Sequence, residues 1–282
     1  FLGSAMPNPR TGCLTQLQRG SRLVLKLLKG LLLIGCVFPQ LRPSERDVII
    51  ESWCREVLDV LSVRVNLRGE TPPGKVSSVL FVANHVSWID ILVMNACRRV
   101  RFVAKAEVRQ WPLVGWMAIR TGTIFFKRTS PHELGRVTKS INIFLRRGDC
   151  IALFSDGTRA DSASVHAFHS GLLESAIAAE ALIWPVGIRY SRLDGSLGTD
   201  TPVVSSQSLF ASIRNILAQP ATRAQVSYTD PIESSAGDRH KLTAWCHQSI
   251  EQSLAGYQTP TDPFRLPLRY PTDESLPPLT AA

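Results

Sequence analysis

Apolar positions change period several times along the chain, and each change marks an element. Residues 44–61 carry Ile50, Trp53, Val57, Leu58 and Leu61 at helical spacing, behind Ser44 and Asp47 placed like a capping box. Val63, Val65 and Leu67 then alternate as a strand, up to Gly69 and a Thr71-Pro72-Pro73-Gly74 turn. The run 79–83 (VLFVA) is apolar throughout, as in a strand buried on both faces. Further helices are predicted over 89–97, 130–148, 169–181, 208–217 and 241–257, and further strands over 100–104, 122–126, 150–154, 182–190 and 224–228. Strands alternating with helices predict an α/β fold: a single domain, 63–257, with a central mixed β-sheet covered by helices. Residues 1–5 read as a cloning remnant, and the Pro-rich tail 258–282 is expected to be flexible.

The segment 6–62 has a character of its own. Residues 23–38 are the most apolar stretch, yet shorter than the roughly 18 to 20 residues that cross a bilayer comfortably. Arg19, Arg22, Lys26 and Lys29 follow at steps of three and four, which puts all four on one helical face. A basic stripe beside Leu23, Leu25, Leu27, Leu28 and Leu31 predicts a helix lying in the headgroup layer, with lysine stems reaching for phosphates. A secretory signal is disfavoured because Pro39-Gln40-Leu41-Arg42-Pro43 follows instead of a small-x-small cleavage site. The alternative is an amphipathic helix of the folded core.

Composition narrows the function. The chain has 282 residues, 44% hydrophobic and 20% charged, which excludes a disordered or polytopic membrane protein. A net charge of +9 and a pI near 9.6 point to an anionic partner. Six cysteines without a C-x-x-C pair argue against a zinc site, and no metal is expected; a reducing compartment without disulfides is. Neither phosphate-loop glycine motif occurs, nor the serine-hydrolase G-x-S-x-G, and the basic residues form no nucleic-acid module.

Three strand ends carry the candidate chemistry. The first is Asn84-His85-Val86-Ser87-Trp88-Ile89-Asp90, after the buried VLFVA strand, at the sheet edge where open α/β sheets place their sites. In one straight helix His85 and Asp90 would point about 140° apart. They meet if His85 lies in the turn and Asp90 in the first helical turn, so that the carboxylate orients the imidazole as a base. Alone, this spacing equally suits a capping or core histidine. The second is Gly122 to Arg128, a strand delivering Lys127 and Arg128; the third is Phe154 to Arg159, where Gly157 permits close approach to an anion and Thr158 adds a hydroxyl. Arg128 and Arg159 could fork onto a phosphate. The joint occurrence of all three carries the weight.

With these residues the chain resembles the PlsC-like family of lysophosphatidic acid acyltransferases. The family's N-H-x-x-x-x-D is matched by Asn84, His85 and Asp90; its G-x-x-F-I-x-R by Gly122, Phe125 and Arg128. Its F-P-E-G-T-R is met by Phe154, Gly157, Thr158 and Arg159, with Ser155 and Asp156 at the two departures, and its apolar motif with a central Pro by Ile183-Trp184-Pro185-Val186. Lys105 matches a lysine common between the first two motifs. The resemblance runs from about Val63 to Tyr190.

It implies His85 and Asp90 as catalytic, and Asn84, Lys105, Arg128, Asp156, Gly157, Thr158 and Arg159 as substrate-binding. It also implies direct acyl transfer from acyl-CoA or acyl-carrier protein to a lysophospholipid hydroxyl, above all that of 1-acyl-sn-glycerol-3-phosphate. No cofactor is expected beyond that co-substrate, and no nucleic acid. The expected location is the cytoplasmic leaflet of the inner membrane, held monotopically. Asp156 for Glu keeps open another acceptor, such as lyso-ornithine lipid; a catalytically silent lipid-binding protein is the reading from another class.

Overall fold

The computed structural model describes residues 10–73, 76–127, 131–154, 170–193 and 209–255. Helix α1 (Cys13–Leu32) continues through a π-turn, Leu33–Val37, and a 3-10 turn, Phe38–Gln40, into α2 (Pro43–Val60). Then come β1 (Val63–Arg68), β2 (Val79–Ala83), α3 (Ile89–Cys97) and β3 (Arg101–Lys105). A 3-10 turn, Ala106–Gln110, leads to α4 (Val114–Arg120), β4 (Ile124–Phe126), α5 (Pro131–Arg146) and β5 (Ile151–Phe154). The chain closes with α6 (Ser170–Ala179), β6 (Leu182–Arg192), α7 (Leu209–Ala218), β7 (Thr222–Tyr228), β8 (Ile232–Glu233) and α8 (Arg239–Ala255).

The strands form one mixed sheet in the order β1-β7-β6-β2-β5-β3-β4, with β8 beside β6. β6 runs antiparallel to β7 and β8; the other pairs are parallel. Every residue of β2 is buried, because helices cover both faces. Val79, Phe81 and Ala83 join the core under α1, α2 and α3, and Leu80 and Val82 the core under α5, α6 and α8. β2, β3, β4 and β5 run parallel, so their C-terminal ends emerge along one edge.

Two local expectations are corrected, and one helix was not anticipated. The cap of α2 is closed by Glu45, whose Oε2 accepts from the Arg42 backbone N–H at 2.8 Å, and Pro43 takes the first helical position. Asp47 instead pairs with Arg99 at 3.2 Å. The strand expected from residue 122 starts at Ile124, because Gly122 stands at φ +82° in the turn that ends α4. α4 itself had no signal: Trp116 and Ile119 point outward, so no core-facing helical period shows.

The N-terminal helix is corrected most. Its helical run, Cys13–Gln40, has 28 residues and is long and apolar enough to cross a membrane, because the helix extends beyond the apolar stretch 23–38. Yet one side of it is core: Leu23, Ile34 and Phe38 are buried with Phe81 and Trp184. Gly30 lets α1 meet α2 closely, since a Cβ there would lie 2.8 Å from Trp53 Nε1, which donates to the Lys26 carbonyl. The basic stripe is largely engaged by protein. Lys26 and Lys29 both pair with Glu56, at 2.7 and 2.8 Å, and Arg19 donates to the Gln219 carbonyl just past α7 at 2.7 Å. Beside the exposed Gln18, Ser21, Arg22 and Lys29, α1 presents outward a row of large apolar side chains: Leu14, Leu17, Val24, Leu25, Leu28 and Leu32.

Candidate active site

The turn between β2 and α3 is built by hydrogen bonds that close it from both ends. Asn84 donates to the Ile188 carbonyl at 2.8 Å and accepts from the Ile188 N–H at 2.7 Å. It is therefore a clamp between the turn and β6, which corrects its expected role in binding substrate: both ends of its buried amide face main chain. Asp90, the second residue of α3, has no exposed surface. Its Oδ2 accepts from Val86 N–H at 2.7 Å and Ser87 N–H at 2.8 Å, and lies 2.8 Å from His85 Nδ1. Its Oδ1 accepts from the Tyr190 hydroxyl at 2.6 Å. Four donors and a helix N-terminus thus surround one buried carboxylate, which offsets its desolvation.

His85 lies in the turn and Asp90 in the first helical turn, the geometry that five-residue spacing requires. With Nδ1–H donating to Asp90, Nε2 is left as the acceptor of the ring. The imidazole stacks on Phe154, centroids 4.5 Å apart and 22° from parallel, and Phe154 stacks on Phe102 at 5.6 Å. Phe154 ends β5, where it pairs in register with Ala83 one residue before the turn. The side chain of His85 remains 27% exposed, open to a reacting partner.

Lys105 ends β3 at the same sheet edge and is exposed. Arg128, Asp156, Gly157, Thr158 and Arg159 lie outside the described residues; β4 and β5, which lead to them, end along the edge that carries His85. Sequence reasoning missed Tyr190, one hundred residues from its partner, and Ile188, which acts through main chain alone. The available signal was a tyrosine set near the end of a largely apolar strand. A cavity of about 570 Å³ opens near the start of the parallel strands, among Arg98, Arg99 and Arg101. These guanidiniums are engaged by carbonyls, Asp47 and Asp149, which accounts for part of the positive charge away from His85.

A family model described as Acyltransferase matches residues 64–189, a span holding the whole His85 turn. The lyso-ornithine lipid O-acyltransferase of Pseudomonas aeruginosa is 31% identical over 88% of this chain and 97% of its own. The 1-acyl-sn-glycerol-3-phosphate acyltransferase of Neisseria meningitidis is 29% identical over 76% of this chain and 83% of its own. The crystal structure of the 1-acyl-sn-glycerophosphate acyltransferase PlsC from Thermotoga maritima shares the fold, with a TM-score of 0.62 at 19% identity, covering 86% of this chain and 99% of that one. The protein is an O-acyltransferase. The chain belongs to the PlsC-like family of glycerolipid acyltransferases.

Proposed function

We propose that the enzyme moves a fatty acyl group from the thioester of acyl-CoA or acyl-carrier protein to the free hydroxyl of 1-acyl-sn-glycerol-3-phosphate, giving phosphatidic acid. The observation that carries this reading is the His85–Asp90 pair at 2.8 Å on an open sheet edge. His85 Nε2 takes the hydroxyl proton as the oxygen attacks the thioester carbon. The tetrahedral intermediate then expels the thiolate, which recovers that proton. No acyl-enzyme forms, so both substrates must be held together and positioning supplies much of the rate. Asp90 stabilises the imidazolium that arises between the two steps. Arg128, Gly157, Thr158 and Arg159, with Lys105, hold the acceptor phosphate; Asp156 stands where the family carries Glu.

A second acceptor, lyso-ornithine lipid, is favoured by one observation: the match to the P. aeruginosa enzyme spans 97% of that protein. The ornithine headgroup offers an ammonium and a carboxylate in place of the phosphate.

The enzyme works on the cytoplasmic leaflet of the inner membrane, which it does not cross. The support is the split character of α1, buried on one side and leucine-rich on the other. Trp111, Leu113, Val114, Trp116 and Ile119 are also exposed, and a Cβ added at Gly35, in the π-turn after α1, would lie 3.7 Å from the Trp116 ring, so the apolar surface of the N-terminal helical run continues onto α4. The deciding experiment incubates purified enzyme with labelled acyl-CoA or acyl-carrier protein and each lysolipid in turn. Acylation of 1-acyl-sn-glycerol-3-phosphate alone supports the first reading, and of lyso-ornithine lipid alone the second; acylation of neither overturns both.

A further inference from the structure

We propose that Tyr190 is a positioning residue for acyl transfer: its buried hydroxyl fixes the plane of the Asp90 carboxylate and, through it, the ring of His85. The inference rests on the reading of His85 as the base. β6 outruns β2: their ladder ends at Ala83 opposite Val186, while β6 continues to Arg192 against β7. Beyond that last rung, β6 touches the turn at both of its ends. Ile188 holds Asn84 through main chain, and two residues further on Tyr190 reaches Asp90. One strand thus templates the whole Asn84–Asp90 segment.

The two carboxylate oxygens are held differently. Oδ2 faces His85 Nδ1, Val86 N–H and Ser87 N–H, whereas Oδ1 takes the Tyr190 hydroxyl at 2.6 Å. Two backbone donors hold Oδ2 from the turn side only, which leaves rotation about the Cβ–Cγ bond to be stopped at Oδ1. Without the hydroxyl, the plane can turn and Oδ2 moves off the imidazole axis. The groups facing Tyr190 are Asp90 and Cys97. Burial and the Asp90 charge push the phenol well above its ordinary range, and burial pushes the Cys97 thiol up to about 12, so Tyr190 remains a donor beside one charged neighbour. A phenylalanine would fill the same space, so packing does not require the hydroxyl.

The test is Tyr190→Phe in the full chain, in detergent with lysolipid and acyl-CoA. The expected result is a kcat lowered about tenfold or more, part of the roughly 10²–10⁴ that a positioned base contributes, with both KM values within about twofold of wild type. The downfield Nδ1–H proton resonance of His85 moves. In an Asp90→Asn background the same change costs little further, because the acceptor it serves is altered. Replacement of Tyr190 by 3-fluorotyrosine keeps the donor and restores most of the rate, which separates the hydroxyl from folding should the phenylalanine variant be unstable. Wild-type kcat with an unmoved resonance in Tyr190→Phe overturns the inference, as does a rate not restored by 3-fluorotyrosine in folded protein. A fully active His85→Ala overturns the reading of the base itself and is scored separately.

Discussion

His85 and Phe154 lie face to face, ring centroids 4.5 Å apart and 22° from parallel, so the imidazole is held from its flat side as well as from its edge. Asp90 fixes one ring nitrogen and Phe154 the ring plane, which leaves Nε2 a single direction. Aromatic pairs contribute about 0.5–1.5 kcal/mol beyond area burial. Phe154→Leu should therefore lower kcat by roughly two- to twelvefold while the acceptor KM stays near wild type, measured by steady-state kinetics. An unchanged kcat in folded protein would remove the stack from the mechanism.

His85→Ala should lower the rate by about 10²–10⁴ and leave the fold intact, since the ring is partly exposed and lies in a turn. Asp90→Asn should be nearly as damaging and, unlike His85→Ala, also destabilising. Asp90 accepts from two backbone N–H groups and a hydroxyl. An amide NH₂ turned toward the N–H groups meets donor with donor, and turned toward the hydroxyl it reverses that bond and leaves only a neutral carbonyl for the N–H groups and His85. Activity and thermal unfolding midpoints, read together, separate the two variants. Asp90→Asn at the wild-type rate would break the pairing even with His85 essential.

Arg128→Ala and Arg159→Ala should each raise the KM for 1-acyl-sn-glycerol-3-phosphate more than they lower kcat, as expected of groups that bind the acceptor phosphate in ground and transition states alike. Initial rates over acceptor concentration decide it. A collapse of kcat at constant KM in both variants would move the two arginines to the reacting centre.

Leu14, Leu17, Leu25, Leu28 and Leu32 all replaced by Ser should lose sedimentation with anionic vesicles, because these exposed side chains touch no core. High salt on wild type should release little, since burial of leucine is not screened. Deleting α1 is the poorer test: it would take Leu23 out of the core and uncover Trp53 of α2, which packs against Gly30. Equal sedimentation of the Ser variant and wild type would take α1 off the membrane.

Glu56 is held below its ordinary value of 4.5 by hydrogen bonds from Lys26 first and Lys29 second. A lowered carboxylate stabilises the fold fully above pH 4.5 and less and less as pH falls through the lower folded value. Acid should thus loosen α1 from α2 before the sheet unfolds, and Glu56→Gln should loosen it at neutral pH. Limited proteolysis of the α1–α2 junction across pH is the readout; identical cleavage of wild type and Glu56→Gln at neutral pH would rule out the clamp.

What the chain encodes locally is legible without coordinates. Alternation and apolar runs place β2, β5 and β6 to within a few residues, because a strand buried on both faces has no polar position to confuse its pattern. The His85–Asp90 pair is legible because its two members are only five residues apart, close enough for a turn and a helix start to bring them together. The tertiary structure decided what depends on residues far apart in the chain. The lysine face of α1 reads as a headgroup stripe until Glu56 of α2 is seen beneath it, and the outward leucines are identified only once Leu23 and Gly30 are known to face the core. Asn84 reads as a ligand-binding amide until Ile188 is seen to occupy both of its ends. Tyr190 is invisible as a partner of Asp90 because sheet order, not sequence order, sets β6 beside β2, and no local period records which strand becomes the neighbour.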